Sequence, residues 1–155
     1  MKIWQVTVII GSSLLLFTAA GAQEKRLKMK DLPQAVQKTV KEQGKDATLK
    51  GLSSEVENGK TEYEAEFTVD GHSRNVTIDP QGNVIEVEEE VALSSLSEAV
   101  QKGIKDGAGR GQILKVESVS KGGKVEKYEA LVKTAGKKSE VQVDTDGKLI
   151  PKAKH

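Results

Sequence analysis

Apolar residues along this chain follow two spacings in turn, first helical and then strand-like, and the pair of spacings occurs twice. Leu32, Ala35, Val36, Thr39 and Val40 lie at i, i+3, i+4, i+7 and i+8, which places one face of a helix toward a core. Leu96, Ala99, Val100, Gly103 and Ile104 repeat that face position for position. Asp31 with Gln34, and Ser95 with Glu98, have capping-box spacing at the two helix starts. Gly44 and Gly107 are expected to end the helices, because glycine tolerates the left-handed conformation common at a C-terminus. Gly103, inside the second helix, costs ~1 kcal/mol relative to Ala unless it permits a close helix–sheet contact.

Strands follow each helix. Tyr63, Ala65, Phe67 and Val69 alternate with Glu62, Glu64, Glu66 and Thr68, the period of two that buries one face of a sheet. Tyr128, Ala130 and Val132 alternate likewise. Asp70-Gly71 and Ala135-Gly136 turn the chain into Val76 and Ile78, and into Val141 and Val143. Asp79-Pro80-Gln81-Gly82 and Asp144-Thr145-Asp146-Gly147 then read as tight hairpin turns. Short last strands carry Val84, Ile85 and Val87, and Leu149 and Ile150. The first strand of each set, near Leu49 to Val56 and Ile113 to Val119, alternates poorly. One face of each sheet is expected under its helix and the other open to water.

The two sets align in order. Leu32-Pro33-Gln34-Ala35-Val36-Gln37-Lys38 recurs as Leu96-Ser97-Glu98-Ala99-Val100-Gln101-Lys102, an offset of 64, and Gly59-Lys60 returns as Gly123-Lys124 at the same offset. From Tyr63-Glu64-Ala65 and Tyr128-Glu129-Ala130 onward the offset is 65, and Gly71 with Gly136 and Gly82 with Gly147 keep it. Ordered similarity with one single-residue shift predicts two copies of one supersecondary unit.

These residues resemble the PepSY domain: a helix beginning Leu-Pro-x-Ala-Val, a Gly-Lys turn, a Tyr-Glu-Ala strand, a short Gly turn, and an Asp-x-x-Gly turn before a last apolar strand. A tandem of two resembles the periplasmic proteins grouped with the β-lactamase inhibitory protein fold. The resemblance covers about residues 31–151 and rests on turn and core residues, which specify fold better than function. PepSY domains occur in propeptides of thermolysin-type metallopeptidases, so the resemblance implies peptidase inhibition. No peptidase domain follows here, which leaves inhibition in trans.

Composition narrows the rest. The chain has 155 residues and no cysteine, so neither a disulfide nor a thiolate metal site is available. Residues 1–22 read as a secretory signal: Lys2, a mostly apolar run from Ile3 to Phe17, and Ala20-Gly21-Ala22 before a cleavage at Gln23. Gln5, Gly11, Ser12 and Ser13 interrupt that run, leaving it short of the ~20 apolar residues of a spanning helix. Behind it only Tyr63, Phe67 and Tyr128 are aromatic, so the core is built mainly from Val, Leu, Ile and Ala.

No catalytic, cofactor or metal signature emerges. The histidines are His72, beside a turn, and His155; neither has a partner at ligand spacing. Ser53, Ser54, Ser94 and Ser95 lie outside any Gly-x-Ser-x-Gly elbow and read as capping and turn residues. Gly107-Ala108-Gly109-Arg110-Gly111 follows a helix and precedes a strand, the reverse of a phosphate-cradling loop, and reads as a connector. Asp144-Thr145-Asp146-Gly147 has the opening of a calcium loop but lacks its closing Glu. Carboxylates abound on strand faces expected to be open to water, where nothing separates their pKa values.

Charge is unevenly placed. Residues 31–91 hold 14 acidic and 6 basic residues, a net of −8, while residues 92–155 hold 8 and 13, a net of +5. Glu62, Glu64 and Glu66 share one side of a strand, and Glu86, Glu88 and Glu90 one side of another. That pattern suits either a solvated sheet face or an electrostatic docking surface.

The sequence therefore predicts an α+β protein of two tandem repeats, each one helix packed on a three- to four-stranded antiparallel sheet. Residues 1–22 form the signal, 23–30 a basic N-terminal segment, 31–91 the first PepSY-like repeat and 92–155 the second. The expected function is a secreted or periplasmic, non-enzymatic protein-binding module, an inhibitor of a peptidase or other enzyme, using the six glutamates on a partner with a basic surface. Nucleic acid and stable membrane insertion after signal cleavage are not expected. The rival is a cation-binding structural or sensing accessory of the cell envelope.

Overall fold

In the computed structural model of the protein, residues 25–57 and 59–151 are described. The expected signal at 1–22 and His155 lie outside them. The elements run β1 (Lys25–Arg26), a 3-10 turn (Met29–Asp31), α1 (Gln34–Gln43), β2 (Thr48–Glu57), β3 (Lys60–Val69), β4 (His72–Ile78) and β5 (Val84–Glu90). A second 3-10 turn (Leu93–Ser95) precedes α2 (Glu98–Ala108), β6 (Gln112–Lys121), β7 (Lys124–Thr134) and β8 (Lys137–Asp144).

The α+β class stands, but the expectation of two separate sheets is corrected. The strands form one eight-stranded antiparallel sheet in the order β1 to β8. β5 is paired on both edges: its Arg74-facing side meets β4, and Val87 to Glu90 meet Ser120 to Glu117 of β6. An unpaired central edge would leave a row of backbone donors and acceptors unsatisfied, so two half-sheets gain by closing on each other. Nothing local in the sequence announces that pairing.

Two cores remain distinct beneath the one sheet. Val36 and Val40 of α1 pack with Leu52, Ala65, Phe67, Val76 and Ile78. Val100 and Ile104 of α2 pack with Val116, Ala130, Val132 and Val143. Tyr63 and Tyr128 point to the helix side and are half-buried against their own clusters. The segment before each helix is built alike: Leu27 N–H donates to Leu52 O at 2.8 Å, and Val91 N–H to Val116 O at 2.9 Å. The basic residues Lys25 and Arg26 thus form a strand on β2, in the place the end of β5 takes on β6.

Helix ends differ from expectation in detail. α1 starts after Pro33, and α2 after Ser97, whose hydroxyl accepts from Val100 N–H at 3.3 Å. Asp31 instead caps the preceding 3-10 turn through Lys28 N–H, and Ser95 donates to Ala92 O. Gly44 does end α1, yet at φ −92 rather than left-handed. Gly107 lies inside α2, which runs on to a left-handed Gly109 at φ 55. A Cβ on Gly107 would come within 2.4 Å of Val141, so tertiary packing rather than termination explains that glycine.

The poorly alternating strands carry bulges. Pairing slips between Leu49 and Gly51 in β2 and between Ile113 and Lys115 in β6, so Lys50 and Leu114 are extra residues at matching places. Such bulges bend and twist a strand while breaking its period of two. A further slip at Val119/Ser120 leaves Glu126 of β7 unpaired, and it falls where the offset between the two halves changes from 64 to 65. Asp70-Gly71 and Ala135-Gly136 are both left-handed at each residue, the turn whose twist matches a two-residue hairpin.

Candidate functional site

The helices occupy one side of the sheet; no helix or strand covers the other among the described residues. Strand register decides which side chains line it. Glu64 pairs with Ser53 of β2 and Thr77 of β4, Glu66 with Asn75, Glu86 with Thr77, and Glu88 with Asn75 and Val119. Glu90 pairs with Glu117, and Glu117 with Glu129 of β7. The six glutamates singled out from the sequence therefore share one face, but none is fully exposed: Glu62, Glu64, Glu66, Glu86, Glu88 and Glu90 are all half-buried. Ser53 and Ser54, expected in turns, lie mid-strand in β2, and Ser53 is buried on this face.

The centre of the face is where β5 meets β6. Val119 there is 0% exposed although no helix lies over it, because long side chains of the neighbouring strands close around it. Three ion pairs lie near this point, Lys115–Glu117 at 2.7 Å, Lys127–Glu129 at 2.5 Å and Lys121–Glu86 at 3.2 Å, and a fourth, Arg26–Glu66 at 4.0 Å, lies three strands away on the same face. Two of the four join different strands, Lys121 of β6 to Glu86 of β5 and Arg26 of β1 to Glu66 of β3; the other two lie within β6 and within β7. At one rim, Ser73 of β4 donates its N–H to Glu90 at 3.0 Å, and its hydroxyl lies 3.3 Å from Glu117 and 3.5 Å from Lys115. His72 is exposed beside it, Nδ1 3.6 Å from Glu90.

These surroundings separate the carboxylates, contrary to the expectation of uniform solvation. Burial pushes Glu88 up to about 8, and Glu117, Glu129, Glu86 and Glu64 add to the rise by repulsion. The Asn75 amide donates to it at 3.4 Å. Glu129 is raised chiefly by burial, which its bond to Lys127 partly offsets, with Glu140 and Glu86 adding to the rise. Burial opposes the charge on Lys127, but its bond to Glu129 and the carboxylates of Glu129, Glu86 and Glu140 outweigh that and hold it raised. Glu90 goes the other way, held low mainly by the Ser73 backbone N–H. Glu88 and Glu90, two residues apart on β5, thus differ in charge at neutral pH.

Sequence reasoning missed Lys115, Glu117, Val119, Lys127 and Glu129. A signal for them exists: they fall at alternate positions in two strands, and Lys127 and Glu129 take the places of Glu62 and Glu64 in the second half. The calcium-like turn is accounted for otherwise. Asp144 Oδ1 accepts from Asp146 and Lys148 N–H at 3.0 and 2.9 Å, and Asp79 Oδ1 accepts from Gln81 and Asn83 N–H at 2.9 and 2.8 Å. Both aspartates brace their own turns. Among the described residues no group of three or more His, Cys, Asp or Glu is arranged to hold a metal ion, and no helix is long and apolar enough to cross a membrane.

The chain is similar in fold to three proteins of known structure. A "BLIP-like protein" from Bacteroides fragilis aligns at 22% identity over 77% of this chain and 84% of its own, with a TM-score of 0.55. A DUF2874 family protein from Bacteroides ovatus aligns at 22% identity over 77% and 85%, with a TM-score of 0.59. A protein from Bacteroides eggerthii, described as "putative periplasmic", aligns at 17% identity over 77% and 86%, with a TM-score of 0.62. Among curated proteins none matches the chain significantly. The model of the PepSY-like family, described as "Putative beta-lactamase-inhibitor-like, PepSY-like", matches residues 19–86 and again 61–151. With nearly all of the sequence inside those two matches, the chain belongs to the PepSY-like family.

Proposed function

We propose that the protein is a periplasmic or secreted, non-enzymatic binding module whose helix-free sheet face docks a protein with a basic surface. The observation that carries this reading is the placement of all six glutamates on one wide face that no helix or strand covers among the described residues, Glu88 alone adding no charge there at neutral pH. In this reading the two halves are tandem copies of one helix-on-sheet unit whose strands have merged, doubling the width of the face. The family description, inhibitor-like, supports an enzyme as the partner and inhibition in trans as the outcome. Periplasmic descriptions among similar folds support an envelope location. The cation-binding alternative is less well supported, since the turn aspartates already hold backbone amides.

Rim charges act mainly on encounter, and long-range attraction is screened beyond ~8 Å at physiological salt. The test uses immobilised protein and envelope extract at low and high salt, with the parent compared to a Glu62→Gln/Glu64→Gln/Glu66→Gln variant. A basic protein retained by the parent at low salt should be lost by the variant and at high salt. The variant should melt near the parent, because each change at a half-exposed site costs ~0.5 kcal/mol. Capture that ignores both the substitutions and the salt would remove the acidic face from the binding site.

A further inference from the structure

The two cores meet at a single strand pairing. Val87, Glu88, Glu89 and Glu90 of β5 face Ser120, Val119, Ser118 and Glu117 of β6, and this seam is what makes one sheet of two. Glu88 stands at its middle on the helix-free face, opposite the buried Val119. Glu86 and Glu90 flank it on its own strand, Asn75 pairs with it from β4, and Glu66, paired with Asn75, stands beyond on β3 beside Glu64. From the second half Glu117 of β6 and Glu129 of β7 face it. The nearby cations are committed elsewhere: Lys115 to Glu117, Lys121 to Glu86, Lys127 to Glu129, and Arg74, on the helix side, to Glu89. Among the described residues no lysine or arginine forms an ion pair with Glu88.

We propose that Glu88 is a proton-operated latch, which holds the β5–β6 seam closed while its carboxyl is protonated and loosens the seam when it ionises. Closing the seam brings carboxyl groups from both halves together around Glu88, and a neutral carboxyl removes one charge from that crowd. Opening returns Glu88 to water. In the closed sheet it keeps its proton up to about pH 8; once solvated it loses it near the ordinary value of 4.5. The closed form therefore binds more protons between those limits, and seam stability must fall as pH rises through them and level off above. The pH of the compartment then sets whether the two halves present one continuous face or two hinged ones.

Amide hydrogen exchange on the purified protein tests it, reading protection factors for 84–91 and 112–121 against those for the β2–β3 pair. Linkage allows a rise in opening of up to about tenfold per pH unit between pH 5 and 8. In the parent, seam protection should fall at least tenfold between pH 6 and 8 and flatten above about pH 9. In Glu88→Gln it should stay level, and β2–β3 protection should be unchanged in both. A parent seam whose protection does not change between pH 6 and 8 overturns the latch, as does an equal loss across β2–β3. A carboxyl carbon NMR titration of the parent guards against a variant that fails to fold: a Glu88 midpoint below pH 6 also overturns it.

Discussion

Phe67→Ala should lower the melting temperature by on the order of 10–20 °C, with the first half of the protein losing protection before the second. Phe67 is 2% exposed and is the largest fully buried side chain among the described residues. Its ring reaches the end of α1, where a Cβ on Gly44 would lie 3.0 Å from it. Truncating a buried aromatic costs ~3–5 kcal/mol, because the transfer energy is lost and a cavity stays behind. That is a large part of the ~5–15 kcal/mol by which such domains are stable. The corresponding residue of the second half is Val132, so the first core leans on one ring where the second spreads its burial over smaller residues. Tyr63→Ala should cost less, since Tyr63 is only half-buried. Thermal melts by circular dichroism decide the matter; a Phe67→Ala protein melting within ~2 °C of the parent would show that the first core does not depend on it.

Much of this architecture is legible in the sequence because its signals are local. Helix faces at Leu32 to Val40 and Leu96 to Ile104, alternation in β3 and β7, and the two left-handed hairpin turns are set by residues close to one another in the chain. Even the change of offset from 64 to 65 has a structural counterpart, the bulge at Glu126. What escapes is long-range. Glu86, Glu88 and Glu90 read as one side of a strand facing water, and only the pairing of β5 with β6 turns that stripe into a crowded seam. The half-burial of Glu88 follows from strands of both halves meeting, which no local pattern encodes. Lys50 and Leu114 defeat the alternation test because a bulge inserts one residue into a period of two. Gly107 misleads for a related reason: a glycine in a helix reads as a stop until the residues packed on it, Val141 and Leu149, are known.

Gly147→Ala should destabilise the protein far more than Gly136→Ala, although the two glycines have nearly the same backbone, φ 81 and φ 82. At Gly136 an added Cβ meets nothing within 4 Å, so its cost is the left-handed conformation alone, ~1 kcal/mol. At Gly147 the Cβ would lie 2.2 Å from Ala99 O and 2.9 Å from Val100 N, on the backbone of α2. Backbone cannot rotate aside as a side chain can, so α2 must move outward, and Val100 and Ile104, both fully buried, move with it. Overpacking of that kind adds ~1–3 kcal/mol, for a total of roughly 2–4 kcal/mol. The contact is reciprocal, since a Cβ on Gly103 would come within 2.0 Å of Gly147 O. Gly103→Ala should therefore destabilise as well, even though Ala favours a helix interior by ~1 kcal/mol. The first half solves the same junction differently: Thr39, at the place of Gly103, donates its hydroxyl to Gly82 O at 2.6 Å and holds the turn a side chain's width away. Gly82→Ala, with its nearest contact at 2.9 Å, should fall between the other two turn variants. Denaturant melts of Gly136→Ala, Gly82→Ala and Gly147→Ala give the ordering directly. If Gly147→Ala costs no more than Gly136→Ala, α2 and the Asp144–Gly147 turn are not in backbone contact, and the glycine at 103 needs another explanation.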